Sequence, residues 1–141
     1  MRSQKMSEPR IWITRRLSDA TIERAQWDYD VVIDHDDTPG TADEIIAASG
    51  KFDAIILCHL EHFTDEVVAQ FSECLKIVAN HSVGVDHCDL QSLKACGIIV
   101  PNTLDVLSDA APELAMLLML GAARHAVAGD RIVRSGAWDS W

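Results

Sequence analysis

The sequence predicts an α/β fold: a flavodoxin-like, doubly wound parallel sheet of about five strands, followed by a long crossover helix. Short apolar runs alternate with helix-type segments from residue 11 to residue 100, which is the pattern of α/β domains. These runs are continuously apolar, as in strands that are buried on both faces. From residue 109 the alternation gives way to one long helical pattern.

The predicted strands are runs of mainly apolar residues bounded by polar or turn-forming residues. Their positions are residues 11–13, 31–33, 54–57, 75–79 and 98–100. Capping residues predict the helices between them. The first runs from Ser18 to about Trp27, and the second from Thr41, with its capping-box partner Glu44, to Ser49, ended by Gly50. Thr64 opens the third, which carries residues 67, 68 and 71 on one side, and the fourth runs from Asp89 to Ala95, ended by Gly97. Because a helix follows each of the first four strands, we expect parallel pairing.

Residues 109–134 are predicted to form a single helix, with Ser108 or Asp109 as its N-cap and Pro112 in its first turn. Residues 114–123 of this helix are apolar almost all round. They are too few to cross a bilayer, which takes about 20 residues. A helix of this kind is covered on most sides, so we expect another domain or another subunit against it.

The charge of the chain limits its partners. Asp and Glu number 22 against 12 Lys and Arg, and the formal net charge is -10. Such a field repels phosphate backbones and anionic lipids, so we expect no nucleic acid and no membrane among the partners. A small anionic substrate would need a locally positive site or one built from backbone N–H groups.

Cysteine spacing and the N-terminus indicate the compartment. The four cysteines contain no CxxC pair, and the polar N-terminus lacks the apolar core of a signal peptide. We therefore expect reduced, mostly buried thiols in a cytoplasmic protein.

Two clusters of possible metal ligands have a simpler interpretation. Histidines and cysteines gather at the predicted strand ends, but no pair of zinc-type spacings occurs, so we predict no metal site. The acidic run Asp34, Asp36 and Asp37 is predicted to be a solvated loop, with cation binding as the less favoured alternative.

The loop at residues 80–87 follows the fourth predicted strand, and ligands of open α/β sheets bind outside the carboxyl ends of strands. Gly84 in this loop lets the backbone approach a ligand, and successive N–H groups there could clasp a carboxylate. The alternative is a tight turn that simply requires one glycine. The residues alone leave both interpretations open.

Six short motifs then follow one another: VGVDH (83–87), GIIV (97–100), NT (102–103), VLSD (106–109), ELA (113–115) and RSGAW (134–138). In this order and spacing, residues 75–138 resemble the NAD(P)-dependent D-isomer-specific 2-hydroxyacid dehydrogenases. The SVG-D-H form and the tail around Trp138 resemble the glyoxylate and hydroxypyruvate reductases of that family. Leu104 and Pro112 depart from the family pattern, and neither change touches the loop at Gly84.

The resemblance implies roles for five residues. Val83 and Gly84 would bind the substrate carboxylate through backbone N–H groups. His59 and Leu60, at the end of the third strand, would line the same cleft. Val83 and Ser108 would approach the cofactor, NAD or NADP, from the substrate side. The substrate would be a small 2-keto or D-2-hydroxy acid.

The polar residues 1–8 are expected to be a disordered N-terminus. The resemblance then implies a substrate-binding domain of residues 9–104 and a crossover helix and tail of residues 105–141. No two of the seven glycines stand two residues apart, so a G-x-G-x-x-G nucleotide motif is missing. The catalytic Arg, Glu and His of the family lie beyond that motif. We therefore assign no catalytic residue, and expect the chain alone to be inactive and the enzyme to be a homodimer.

Two non-enzymatic alternatives stay open. A flavodoxin-like phosphoacceptor module needs acidic residues where this chain has residues 14–16 (TRR) and 58–59 (CH), so that alternative is weak. An oligomerisation module would use the apolar helix at residues 114–123.

Overall fold

The computed structural model describes residues 8–34 and 38–139 as two compact units. The first unit ends at Leu104 and the second begins at Asp105. The segment predicted to be disordered, residues 1–8, lies outside the described residues except for Glu8. Asp36 and Asp37 of the predicted acidic loop also lie outside them.

A parallel sheet of four strands forms the centre of the first unit. The strands are β1 (Arg10–Ile13), β2 (Asp30–Ile33), β3 (Ala54–Leu57) and β4 (Ile77–Asn80), in the spatial order β2-β1-β3-β4. The helices of this unit are α1 (Asp19–Gln26), α2 (Ala42–Ser49), α3 (Asp65–Val68) and α4 (Leu90–Ala95). All neighbouring strands pair in parallel, which confirms the predicted α/β fold.

The predicted fifth strand, residues 98–100, is present only as a bridge beside β4. Ile99 pairs with Ile77, and the Val78 N–H donates to the Ile99 carbonyl at 2.9 Å. The Asn80 N–H donates to the Pro101 carbonyl at 2.9 Å. Because Pro101 has no N–H to donate, the ladder cannot continue through it. Among the described residues the sheet therefore has four strands instead of about five.

The hydrophobic core lies on one face of the sheet. The register places Trp12, Ile55 and Val78 side by side on this face, and the last two are fully buried. Each of three helices contributes a buried side chain to the same cluster: Ile45 from α2, Val68 from α3 and Leu93 from α4. Three helices thus cover this face.

The opposite face is less covered than the apolar runs predict. Ile11 and Ile13 of β1 are buried there, but Ile77 of β4 is 37% exposed and Ile99 is 65% exposed. The prediction of burial on both faces is therefore wrong for this edge of the sheet. The reason is that α2, α3 and α4 occupy the first face, while α1 contacts β2 at the opposite edge.

The helix ends follow the predicted capping residues. The Ser18 side chain caps α1 by accepting a backbone N–H, and Thr41 and Glu44 form a complete capping box on α2. Beyond α4, Gly97 has a φ of +73°, in the left-handed region that glycine adopts most readily. The predicted starts of α1 and α2 and the predicted end of α4 are confirmed.

The second unit contains two helices, α5 (Ala110–Ala123) and α6 (Ala126–Ser135), so the prediction of one helix over residues 109–134 is wrong. The break falls at His125, which has a φ of +52°. A right-handed helix cannot continue through a left-handed residue. Histidine is among the residue types that adopt this region more often than most.

The side chains of α5 are largely exposed. Leu117, Leu118 and Met119 are each more than half exposed, and no residue of α5 is buried. In the part of the chain that the structure describes, no helix is both long and apolar enough to cross a membrane.

Of the four cysteines, which all lie in the described residues, Cys88 alone is buried, and Cys58 is half-buried. Cys74 and Cys96 are exposed because they lie in turns, the latter at the end of α4. The prediction of mostly buried thiols is therefore wrong.

Candidate functional site

The loop after β4 lies at the carboxyl end of the sheet and is held in place by Asn80. This residue is the last of β4 and is only 2% exposed. Its Nδ2 donates to the Gly84 carbonyl at 2.8 Å, and its Oδ1 lies 3.2 Å from His87 Nε2. One buried side chain thus ties two points of the loop to the strand.

The backbone carbonyls of three consecutive loop residues, Ser82, Val83 and Gly84, each accept a hydrogen bond from another part of the first unit. Asn80 reaches Gly84, Asn102 Nδ2 donates to the Val83 carbonyl at 2.9 Å, and the Thr103 N–H donates to the Ser82 carbonyl at 3.1 Å. The described peptides are trans, so each N–H points away from the carbonyl of its own peptide.

The N–H groups on the other side of these peptides belong to Val83, Gly84 and Val85. Within residues 8–34 and 38–139 none of the three has a hydrogen-bond acceptor. Successive free N–H groups of this kind can bind an anion without any charged side chain. These three N–H groups could therefore donate hydrogen bonds to an anion such as a carboxylate.

Gly84 is not required by the backbone of the turn. Its φ lies outside the left-handed region, and a Cβ built at this position would meet only Asp86 Oδ2, at 3.4 Å. The fold would therefore tolerate a side chain here. The glycine keeps space open beside the free N–H groups.

A cleft of about 310 Å³ opens beside the loop. Its lining residues are His59, His62, Ser82, Gly84, Asp86 and His87. His59 and Gly84 are the sequence-predicted residues among them. Leu60 and Val83 are 45% and 37% exposed and stand outside the lining.

Burial lowers the pKa of His87 below its ordinary value of 6.5, and the neighbouring His62 and His59 lower it further. Glu61 and Asp86 oppose this shift by favouring the imidazolium. Because the pKa of His87 therefore lies below 6.5, its imidazole is neutral near pH 7. Despite the three imidazoles, no group of three His, Cys, Asp or Glu side chains among the described residues is arranged to hold a metal ion.

The hydrogen bonds of Asn80 also define the tautomer of His87. Asn80 Nδ2 donates to a carbonyl, so Oδ1 is the acceptor and His87 Nε2 carries the proton. In the neutral ring Nδ1 is then an acceptor.

The turn after β3, which carries His59 and Leu60, is closed by a buried carboxylate. Glu61 is 1% exposed, and its Oε2 accepts the Cys58 N–H at 3.1 Å. Its Oε1 is buried without a hydrogen-bond partner among the described residues. Because Glu61 points inward, the histidines on either side of it lie exposed at the surface of the turn.

Ser108 lies in the second unit, immediately before α5. Its Oγ donates to Asp105 Oδ1 at 3.3 Å, and its N–H donates to the Asp105 carbonyl at 3.2 Å. The N-cap of α5 is Asp109, which makes no capping hydrogen bond through its side chain. The hydroxyl of Ser108 therefore stabilises the preceding turn.

The first unit is thus an α/β domain with a parallel sheet and, at the carboxyl end of β4, a loop whose N–H groups have no acceptor among the described residues. Residues 11–135 match the family described as D-isomer specific 2-hydroxyacid dehydrogenase, catalytic domain. The chain belongs to this family, which confirms the resemblance seen in the sequence.

Similar proteins match nearly all of this chain but extend well beyond it. A glycerate dehydrogenase from Hyphomicrobium methylovorum is 38% identical over 136 residues, covering 96% of this chain and 42% of the relative. A glyoxylate reductase from Pyrococcus horikoshii is 36% identical over 131 residues, which cover 93% of this chain and 39% of the relative. A solved structure from Polaromonas sp. JS6 66, named as an NAD-binding D-isomer specific 2-hydroxyacid dehydrogenase, has a TM-score of 0.75 at 35% identity, covering 94% and 42%. The chain thus spans about two fifths of the length of these proteins.

The sequence did not single out the residues that shape the site. Asn80 and Asn102 orient the loop carbonyls, and His62, Asp86 and His87 line the cleft. One signal could have found Asn80, because it is a polar residue at the end of an apolar strand. A polar side chain that is buried in such a place is normally hydrogen-bonded within the protein.

Proposed function

We propose that this chain is the substrate-side half of an NAD(P)-dependent D-2-hydroxyacid dehydrogenase that interconverts 2-keto acids of the glyoxylate and hydroxypyruvate type with D-2-hydroxy acids. The observation that carries the proposal is the row of free N–H groups at residues 83–85, beside an open cleft. The names of two relatives, a glycerate dehydrogenase and a glyoxylate reductase, support this class of substrate.

The substrate carboxylate would accept hydrogen bonds from the N–H groups of Val83 and Gly84. In a chain with a net charge of -10, backbone donors attract an anion without an arginine or lysine in the loop. His59 and Leu60 would border the rest of the substrate from the turn after β3. These groups bind and orient the acid.

NAD or NADP would be bound mainly by a second domain, and Val83 and Ser108 are the contributions that we propose from this chain. The side chain of Val83 is exposed and apolar beside the free N–H groups, so it fits the face of a flat ring. The nicotinamide, when bound, exchanges a hydride with C2 of the acid. We assign no catalytic acid, base or arginine to this chain, and propose that it is inactive alone and works in a cytoplasmic homodimer.

The test is carboxylate binding by the chain itself. Titration of the ¹⁵N-labelled chain with oxamate, a stable 2-keto acid analogue, should shift the amide signals of Val83, Gly84 and Val85. Gly84→Ala should weaken binding by about tenfold, because its methyl group occupies the space beside the donors. Gly129→Ala is the matched control, since a Cβ there meets nothing within 4 Å. Unchanged loop amides at saturating oxamate would contradict the proposal.

A second candidate function is a non-catalytic oligomerisation module. It is favoured by α5, an apolar helix with no buried residue. Carboxylate binding at the loop would distinguish the two candidates, because an oligomerisation module has no need of it.

A further inference from the structure

A short chain of hydrogen bonds joins His87 to the loop that carries the free N–H groups. His87 Nε2 lies 3.2 Å from Asn80 Oδ1, and Asn80 Nδ2 donates to the Gly84 carbonyl at 2.8 Å. Because one buried amide group connects the two bonds, Nε2 lies within about 8 Å of the Gly84 carbonyl oxygen. His87 and Gly84 also line the same cleft of about 310 Å³. A charge on His87 would therefore act on an anion that binds beside Gly84.

The hydrogen bonds of Asn80 are compatible with both charge states of His87. In the neutral ring Nε2 carries the proton, and in the imidazolium both ring nitrogens carry one. Nε2 is thus a donor to Asn80 Oδ1 whether or not Nδ1 is protonated. Protonation therefore adds a positive charge to the cleft without removing a contact that holds the loop.

The titratable groups that act on His87 lie in the turn after β3 and in the loop itself. They are His59, Glu61, His62 and Asp86. Burial is the main cause that lowers the pKa of His87, the two imidazoles add to it, and the two carboxylates oppose it. On the α4 side, the Asp89 carboxylate accepts the Ser92 N–H at 2.9 Å. An anion beside Gly84 would act on His87 in the same direction as Glu61 and Asp86, because an opposite charge favours the imidazolium.

His87 differs from the other two histidines of the cleft in its burial and its contacts. His59 and His62 are exposed, whereas His87 is half-buried. Water and salt screen an exposed charge more strongly than a partly buried one. His87 is also the cleft histidine that Asn80 ties to the Gly84 loop. A proton on His87 should therefore affect an anion in the loop more than a proton on either neighbour.

We propose that a proton on His87 strengthens carboxylate binding at residues 83–85, so that the acid and the proton bind cooperatively. The inference rests on the proposed carboxylate site and adds a regulation to it, because the site would hold its acid more tightly as the pH falls. Near pH 7.5 His87 is neutral and contributes no charge, and below its pKa it is a cation. At a separation of about 8 Å and low ionic strength, the expected gain in affinity is about threefold to tenfold, between the values for bulk water and for a protein surface.

Oxamate binding to the ¹⁵N-labelled 141-residue chain tests this inference over the range from about pH 7.5 to about pH 5.0. The carboxylate of oxamate stays ionised over this range, and the amide spectrum shows whether the chain is folded at each pH. The dissociation constant from the Gly84 amide signal should fall about threefold to tenfold on acidification, and by less at high salt. Coupling between two binding events is reciprocal. Saturating oxamate should therefore raise the titration midpoint of the His87 Cε1–H signal by about 0.5 to 1 pH unit.

Three variants test whether the effect belongs to His87. His87→Gln keeps a neutral donor for Asn80 Oδ1 but cannot take up a proton. The ratio of its dissociation constants at the two ends of the pH range should therefore fall to about one. His62→Gln removes an exposed imidazole from the same cleft and should keep most of the wild-type ratio. His81→Gln is the matched control, since His81 is exposed and stands outside the cleft lining.

The outcomes distinguish the inference from the function on which it rests. A dissociation constant that does not fall on acidification, with a clear Gly84 response, would overturn the cooperativity and leave the carboxylate site intact. A full wild-type ratio in His87→Gln would also overturn it, because another group would then carry the effect. No Gly84 response to oxamate at any pH would overturn both the inference and the proposed function.

Discussion

At the scale of single residues, the site depends on which polar groups have partners and which do not. Asn80 and Asn102 satisfy loop carbonyls with neutral side-chain donors, and the N–H groups of Gly84 and Val85 remain available as a result. The proposed site would hold an anion on an acidic domain without burying a cation, which would carry a large desolvation cost.

The pKa of His87 predicts a pH dependence of stability. Its pKa in the folded chain lies below 6.5, so the unfolded chain takes up the proton first as the pH falls. The free energy of unfolding should therefore decrease below about pH 6.5 and continue to fall until the folded pKa is passed. Urea unfolding at about pH 7.5 and pH 5.5 measures this change. In His87→Gln the decrease should be smaller, and an NMR titration midpoint of His87 above 6.5 would contradict the prediction.

At the scale of elements, the backbone conformation distinguishes a glycine that its turn requires from one that it does not. Gly97 ends α4 with a φ of +73°, whereas the φ of Gly84, in the loop after β4, lies outside the left-handed region. The sequence pattern predicts Gly97 at a helix end but leaves open whether Gly84 serves a ligand or only a tight turn. Backbone conformation makes the distinction.

Substitution by alanine should change the free energy of unfolding by different amounts at Gly97 and Gly84. Gly97→Ala should lower the free energy of unfolding by about 1 kcal/mol or more, because alanine is strained at a positive φ. Gly84→Ala should change it by less than about 1 kcal/mol, since its Cβ would stand 3.4 Å from the nearest atom. Urea unfolding of both variants provides the comparison. Equal destabilisation by the two substitutions would contradict the prediction, because it would show that the turn requires a glycine at position 84.

At the scale of the whole molecule, two apolar surfaces stand out among the described residues. One is the sheet face at Ile77 and Ile99, beside an open apolar cleft of about 450 Å³. The other is α5, whose leucines and methionines are mostly exposed. Contiguous apolar surface of this kind usually marks an interface. Relatives more than twice as long as this chain have additional residues that could supply such partners.

The chain should self-associate through α5. Light scattering at increasing concentration should give a mass above that of the monomer, because association removes apolar surface from water. Leu117→Glu together with Leu118→Glu should restore the monomer while the first unit stays folded, since both residues belong to the second unit. A wild-type chain that stays monomeric at every concentration would exclude both the dimer and the oligomerisation role of α5.

The sequence by itself determined the α/β class, the positions of the four strands and the capped starts of α1 and α2. These features depend on local propensity, apolar patterning and capping chemistry, which a short stretch of sequence carries. The sequence motifs also identified the family, and with it the loop around Val83 and Gly84.

Only the tertiary structure decided the rest. The shortened fifth strand beside Pro101 and the break at His125 are seen only in the backbone conformation and the strand pairing. The exposed face at Ile77 depends on which helices cover the sheet, and these lie far apart in sequence. The same holds for the site, where residues of the turn after β3 meet residues of the loop after β4 in one cleft. The N–H groups of the loop are free, and His87 is neutral, because of hydrogen bonding and burial in the folded chain. The spacing of residues in the sequence does not show either property.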